Sequence, residues 1–344
     1  MKRRNDILFA VLAVATVVLF VVDLVVGSVA VPLGEVWSAL FGGATQGAEG
    51  EVYATIVRNF RLPKAIMALL AGAALSSVGL QMQTLFRNPL AGPYVLGVSS
   101  GASLGVALML LGLPLLGVAT SNPVVQNIGV AGAAWLGAAG VMVIVMAVTT
   151  RIKNIMTVLI LGMMFGSAAS ALVEVMQYLS PEGALKSYVV WTMGSLGGVT
   201  LQQLNIVVPV VVAGLVLSVL LIKPLNILLL GENYARTMGL NIKHIRLGVT
   251  LTTVLLAGTI TAYCGPIGFI GLAVPHVARM LFREADHKVL VPATMLTGAA
   301  MMLLCDVAST LPAGDLTLPI NTVSALVGIP IVVVVIVRNR KTMM

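Results

Sequence analysis

LNIVVPVVVAGLVLSVLLI, residues 204–222, runs directly into KPLNILLLGENYARTMGLNIKHIR, residues 223–246, and the join between them decides the fold. The first stretch is free of charge over a length that crosses about 30 Å of hydrocarbon. The second carries Lys223, Glu232, Arg236, Lys243, His244 and Arg246, in a chain with only 9% charged residues and a mean hydropathy of +1.06. A basic island between two apolar runs reads as a folded surface piece. The pattern predicts a short apolar helix over Leu225–Leu230, a break at Gly231 and a second short helix ending near Gly239. The expectation is that this island receives force from a partner, and that the rest of the chain is the membrane machine it moves.

Working outward, the same apolar pattern recurs along all 344 residues, 59% of which are hydrophobic and 5% aromatic. A soluble domain would be about a quarter charged. Spans are expected near residues 7–27, 63–86, 94–111, 128–148, 155–178, 204–222, 247–263, 289–308 and 320–337, with a shorter, broken span ending at the cluster 279–288. That predicts an all-α polytopic membrane protein of about ten helices, read as one domain over 1–344, with the coupling loop 223–246 between helices six and seven. Residues 32–40 form an expected amphipathic segment between the first two spans. A β-barrel is excluded because the runs are continuously apolar and do not alternate with period two. A cleaved leader is the rival reading of residues 1–30, but the apolar run there exceeds a usual leader core and is kept as the first span.

The formal charge of +8 falls in short loops, so it is no nucleic-acid footprint. With a cytoplasmic N-terminus, Arg58, Arg61, Lys64 and Lys186 lie outside and the remaining 16 of the 20 Lys and Arg lie inside. That excess places both termini and the island in the cytoplasm. Cys264 and Cys305 sit in or beside apolar runs and read as small buried hydrophobes, neither disulfide nor metal ligands.

The chemistry of the sequence is as informative for what it lacks. No G-x-x-x-x-G-K-[ST] phosphate loop occurs, so ATP hydrolysis is not expected in this chain. No metal-ligand cluster and no nucleophile–base pair appears, so no catalytic residue and no metal site is expected. Ionisable residues inside spans reduce to Asp23, Glu174, Asp306 and His276. Burying charge there is costly; the favoured reading is that Asp23 lies near the outer end of its span, that Asp306 and Glu174 make local hydrogen bonds, and that His276 is a structural hydrogen-bonding residue. A dense carboxylate relay and an inverted repeat, expected of an ion-coupled carrier, are not found. Gly97, Gly101 and Gly105, and likewise Gly162 and Gly166, repeat at a spacing that lets helix backbones approach, and are read as bundle packing. Gly265–Arg279, GPIGFIGLAVPHVAR, breaks helical geometry and must satisfy its freed backbone groups within the protein.

Several motifs carry a resemblance to a known family. Gln83, Asn88-Pro89-Leu90-Ala91, Pro93 and Leu96-Gly97 resemble the signature after the second helix of permeases for iron–siderophore, haem and cobalamin ABC importers. Arg61-Leu62-Pro63-Lys64 resembles the start of that helix. Gly265, Gly268, Phe269, Gly271, Pro275, His276 and Arg279 match the most specific stretch. Trp191, Gly194-Ser195-Leu196 and Gly328-x-Pro330 also fit, so the likeness covers nearly the whole chain in order.

The resemblance implies a ten-helix permease in the bacterial cytoplasmic (inner) membrane, pairing with a second copy of itself as a homodimer around one translocation path. Two cytoplasmic ABC ATPase subunits, holding ATP and Mg, would drive it, and this chain would hold no cofactor. A periplasmic or lipid-anchored substrate-binding protein would deliver cargo; membrane lipid, and no nucleic acid, would surround it. On this likeness Leu230, Gly231, Glu232, Ala235, Arg236 and Gly239 form the ATPase-coupling element. Met82, Gln83, Asn88, Ser99, Ser100, Asn154, Ile155 and Met156 are candidates for the path and its inner gate. Arg58, Arg61 and Lys64 are candidates for docking the binding protein. Two departures touch that outer surface: Thr310 stands where the family often has Arg, and Thr317-Leu318-Pro319-Ile320-Asn321 replaces Glu-Leu-Pro-x-Gly. The rival readings are an ion-coupled secondary transporter of similar substrates, and a membrane scaffold whose island docks a non-ATPase partner.

Overall fold

The computed structural model describes residues 2–27, 29–42, 47–94, 96–115, 123–149, 155–311 and 317–340, and all regular structure among them is helical. α1 (Lys2–Val25) is followed by the short α2 (Leu33–Phe41) and by α3 (Gly47–Ile56). A π-turn over Val57–Arg61 joins α3 to α4 (Leu62–Phe86) without a break, so the second span begins well before Pro63. α5 (Val98–Ala107) continues through a second π-turn (Leu108–Gly112) into the one-turn α6 (Leu113–Leu115). Then come α7 (Pro123–Thr149), α8 (Ile155–Leu179), α9 (Glu182–Met193), α10 (Leu201–Leu220), α11 (Ile222–Leu229) and α12 (Glu232–Thr237). α13 (Ile242–Thr253), a third π-turn (Val254–Gly258) and α14 (Thr259–Cys264) make one span. α15 (Ile270–Phe282), α16 (His287–Thr310) and α17 (Ile320–Arg340) complete the chain.

Seven of these helical stretches are long and apolar enough to cross a membrane, and Val98–Gly112, Ile270–Phe282 and Ile320–Val335 are shorter apolar helices. Seven and three recover the expected ten. Besides the early start of the second span, two details differ from expectation. The loop after α8 contains the helix α9, because Pro181 sets a start and Glu182 favours the first turn. The seventh span begins at Ile242, so Lys243, His244 and Arg246 ride on its first turns instead of a loop; Asn241 caps it, its side chain accepting from Lys243 N at 3.0 Å.

α4 is the centre of the bundle and is buried on every side. Its sequence allows this because Gly, Ala and Ser replace bulky residues at the contacts. A methyl group built onto Gly72 would overlap the carbonyl of Gly298 on α16, and one on Gly79 would overlap the carbonyl of Gly271 on α15. Close backbone approach gives many dispersion contacts, which is what drives helix association where lipid offers no hydrophobic contrast. Polar residues on α4 are satisfied by neighbours: Ser76 Oγ lies 2.8 Å from Thr294 O, and Gln81 Nε2 donates to Ser218 Oγ at 2.8 Å. The expected glycine repeats pack likewise, Gly101 against Gly137 on α7 and Gly97 against Gly162 and Gly166 on α8.

Interactions sort the connections to two ends of the bundle. Asn5 reaches Glu284, Arg4 reaches Phe282 O, Asn226 reaches Asp286, and Arg87 reaches Leu228 O, so these segments share one end. Arg61 meets Leu24 O, Lys64 meets Asp306, and Ser195 N donates to Cys264 O at the other.

Candidate coupling surface and transport path

The island folds as the sequence predicts in outline. α11 buries Leu225 and Leu228 and leaves Leu229 and Leu230 exposed. Gly231 turns the chain at φ +115°, a conformation that side chains rarely adopt, and α12 starts there. Ala235 is buried, while Tyr234, Arg236 and Met238 stand out. The second helix closes on Gly239 with Leu240 N donating to Ala235 O at 3.0 Å, the six-to-one bond of a Schellman ending. Glu232 does not face outward as a free carboxylate. It accepts from Arg246 at 2.8 Å and lies 3.7 Å from Arg236, which ties α12 to α13. Leu229, Leu230, Tyr234 and Met238 therefore form an exposed apolar patch with a basic rim, the composition of a protein-binding surface.

A polar network that the sequence reading missed anchors this pair to the bundle. Asn226 Oδ1 accepts from His287 N and His287 Nδ1, both at 2.8 Å, and its Nδ2 donates to Asp286 Oδ1 at 2.6 Å. The acceptor at Nδ1 places a ring proton there. The other ring nitrogen, Nε2, meets Thr84 Oγ1 on α4 at 2.8 Å. Asp286 caps α16, accepting from Lys288 N at 2.8 Å; that backbone bond, with the Asn226 amide and nearby cations, holds its carboxyl below the ordinary value. An Asp three residues before a long apolar run is a cap signal that sequence alone offered; its link to Asn226 was not legible.

Gly265–Arg279 brings the remaining motifs together. His276 Nε2 meets Pro89 O at 2.8 Å, Arg279 Nη1 donates to Gln83 Oε1 at 2.5 Å, and Gln83 Nε2 donates to Leu272 O at 3.1 Å. Gly268 N donates to Asn321 Oδ1 at 2.9 Å, which gives Asn321 a partner one span away. Phe269 takes φ +64° and packs its Cβ against Gly328. Gly271 sits under Leu75 O and Pro93, and Pro275 is buried inside α15. Asn88 Oδ1 accepts from Leu90 N at 2.9 Å, closing the turn that presents Pro89. The segment is thus a structural clasp, as the freed backbone groups require.

The candidate path residues separate. Met82 and Gln83 lie inside the bundle of this chain at 0% and 4% exposure. Ser99 and Ser100 are half-buried on the first turn of α5, with Ser100 Oγ against Gly166. Ile155 begins α8, Met156 is exposed on it, and Asn154 lies outside the described residues. A stripe the sequence reading did not single out continues from Met156 through Ile160, Met163, Ser167, Ser170 and Glu174, all exposed. Their helical spacing was the available signal.

At the other end, a cavity of about 600 Å³ is lined by Asp23, Gly27, Arg61, Lys64, Ser195 and Asp306, among others. Asp306 is 1% exposed and pairs with Lys64 Nζ at 3.1 Å, so its partner is on another helix and the expected local hydrogen bonding is incomplete. Arg61 is 7% exposed and donates to Leu24 O at 2.7 Å, Val25 O at 2.6 Å and Val29 O. Both cations are turned inward in this chain, Arg61 almost fully and Lys64 with about a fifth of its side chain exposed. Capping the carbonyl end of α1 draws Arg61 in, and the buried carboxylate draws Lys64 in. Arg58 is exposed, with Nε donating to Ala39 O.

Among the described residues the chain is an all-α polytopic bundle of seven long and three shorter apolar stretches, carrying a folded, exposed helical pair at one end. Its sequence matches the model of the FecCD transport family over residues 15–338, and the chain belongs to that family. It is 34% identical over 340 residues to the vitamin B12 import system permease protein BtuC of Klebsiella pneumoniae, covering 98% of this chain and 96% of that one. It is 33% identical to the hemin transport system permease protein HmuU of Yersinia pestis, covering 82% and 83%. The ABC transporter permease protein YvrB of Bacillus subtilis is 31% identical, covering 92% and 89%. Among solved structures, an inward-facing conformation of a metal-chelate type ABC transporter superposes with a TM-score of 0.82 at 28% identity, covering 97% of this chain and 99% of that one. The chain is a permease of the ABC transporter kind.

Proposed function

We propose that this permease imports a bulky chelate of the iron–siderophore, haem or cobalamin class, working as a homodimer with two cytoplasmic ATPase subunits and an external substrate-binding protein. ATP and Mg belong to the ATPases, and this chain contributes no cofactor or hydrolytic site of its own. The N- and C-termini and the coupling pair face the cytoplasm, following the excess of Lys and Arg at that end. The observation that carries the reading is the exposed apolar patch on α11 and α12, rimmed by base and pinned through Asn226 to α4 and α16. Movement of the ATPases would displace this pair, and the network would pass the displacement to the central helices. Leu230, Gly231, Glu232, Ala235, Arg236 and Gly239 would act at that step, and the exposed face of α8 from Met156 to Glu174 would line the path. Arg58 would meet the binding protein directly, with Arg61 and Lys64 shaping the surface beneath it.

The test is uptake into proteoliposomes containing the permease and its ATPases, with binding protein loaded with siderophore, haem or cobalamin in separate arms. ATP-dependent uptake and cargo-stimulated ATPase activity are expected in one arm. Uptake driven by a proton or sodium gradient without ATPase subunits would overturn the proposal.

A further inference from the structure

Arg87 ends α4 with φ +49° and reaches beneath the coupling pair. Its Nη2 lies 3.5 Å from Leu228 O, the long limit of a hydrogen bond, and would lie 2.9 Å from a Cβ built on Gly231. The missing side chain at Gly231 is what lets the guanidinium pass. A groove of about 690 Å³ opens there, lined by Leu85, Arg87, Leu230, Gly231, Glu232 and Tyr234, among others. Its carboxylate, Glu232, is already held by Arg246 and Arg236. Among the described residues no carboxylate lies within ion-pair distance of Arg87. A guanidinium with one long backbone contact, at the floor of an open groove in a basic surface, lacks the planar anionic partner that its geometry fits.

We infer that Arg87 receives a carboxylate side chain of the ATPase subunit, inserted between α11 and α12 against Gly231. The inference rests on the reading of this pair as the ATPase-coupling surface and adds the contact that fixes its register. That contact links the ATPase directly to the end of α4, in parallel with the route through Asn226.

The experiment uses the full permease co-expressed with its ATPase subunits, with assembly measured in detergent across a salt series. Arg87→Glu and Arg87→Gln are compared with Leu230→Asp, and melting temperatures establish that each variant is folded. Arg87→Glu is expected to weaken assembly about tenfold or more and to flatten its salt dependence, with Arg87→Gln between it and the parent. One acidic ATPase residue, found by single substitutions to Arg, should restore assembly with Arg87→Glu. If Leu230→Asp abolishes assembly while Arg87→Glu assembles as the parent does, Arg87 has no such partner and the coupling surface stands. If neither variant weakens assembly, the coupling reading itself fails. A weakened Arg87→Glu that no charge exchange rescues also overturns the inference, and leaves Arg87 as a prop for the turn at Gly231.

Discussion

Replacing Asn226 by Leu keeps the branched outline of the side chain, at a larger volume, and removes every hydrogen bond that side chain makes. His287 is 1% exposed and loses the acceptor for both its backbone N–H and its ring Nδ1–H, each held at 2.8 Å. Leaving a buried donor unpaired costs about 1–3 kcal/mol, so two donors with partial relaxation give about 2–4 kcal/mol. Asp286 contributes little to the loss, because it is exposed and water replaces the amide. For a chain of 344 residues that corresponds to a drop of about 3–6 °C in apparent melting temperature. Scanning fluorimetry in detergent reads the stability, and cargo-stimulated ATPase activity of the assembled transporter reads the coupling. The variant should assemble with the ATPases, since the apolar patch is intact, yet lose stimulation by loaded binding protein. Asn226→Asp keeps an acceptor for His287 but sets a second carboxylate beside Asp286, and should fall between the two. An Asn226→Leu protein that melts within about 1 °C of the parent and retains full stimulation would refute the network as a load path.

Three further outcomes follow from the packing. Lys64→Met leaves Asp306 buried without its cation and should cost about 3–5 kcal/mol, with Asp306→Asn in the same chain recovering most of it; single and double melting temperatures check this. Gly79→Ala puts a methyl group into the carbonyl of Gly271 and should cost about 1–3 kcal/mol or more, whereas Gly34→Ala, with open space around it, should be neutral or slightly stabilising. Asp286 has a lowered carboxyl pKa from its bond to Lys288 N, so its contribution is present above its ordinary value of 3.8 and is lost as pH falls through the lower folded value. Asp286→Asn, which keeps a cap without the titration, should remove that share of the acid-side slope in a melting series.

Hydropathy made the spans legible because each must present some 20 apolar residues to lipid or protein, and that demand is written locally. The break at Gly231 was legible for the same reason, since a glycine between two helical patterns has few other uses. Residues whose meaning lies across the bundle were not legible. Asn226 reads as a polar position in a short apolar helix, and His287 as a loop residue before the next span, until folding sets them 2.8 Å apart. Met82 and Gln83 carry no mark in the sequence of which way α4 faces, because a helix buried all round has no amphipathic face to read. Arg61 and Lys64 looked like presented charges because a charge count records the end of the bundle, not the direction of a side chain. The long helix through 57–61 hid behind Pro63, which is tolerated in the first turn of a new helix as readily as after a π-turn.

The two glycine contacts along α4 have a kinematic consequence. Gly72 against Gly298 and Gly79 against Gly271 seat backbone on backbone, with no flexible side chain between to absorb a slide. Helices meshed in this way can separate or travel together, but they cannot shear past one another by a fraction of a turn. α4, α15 and α16 therefore behave as a single rigid spindle, and any opening at either membrane face has to come from the looser helices around it swinging about that axis.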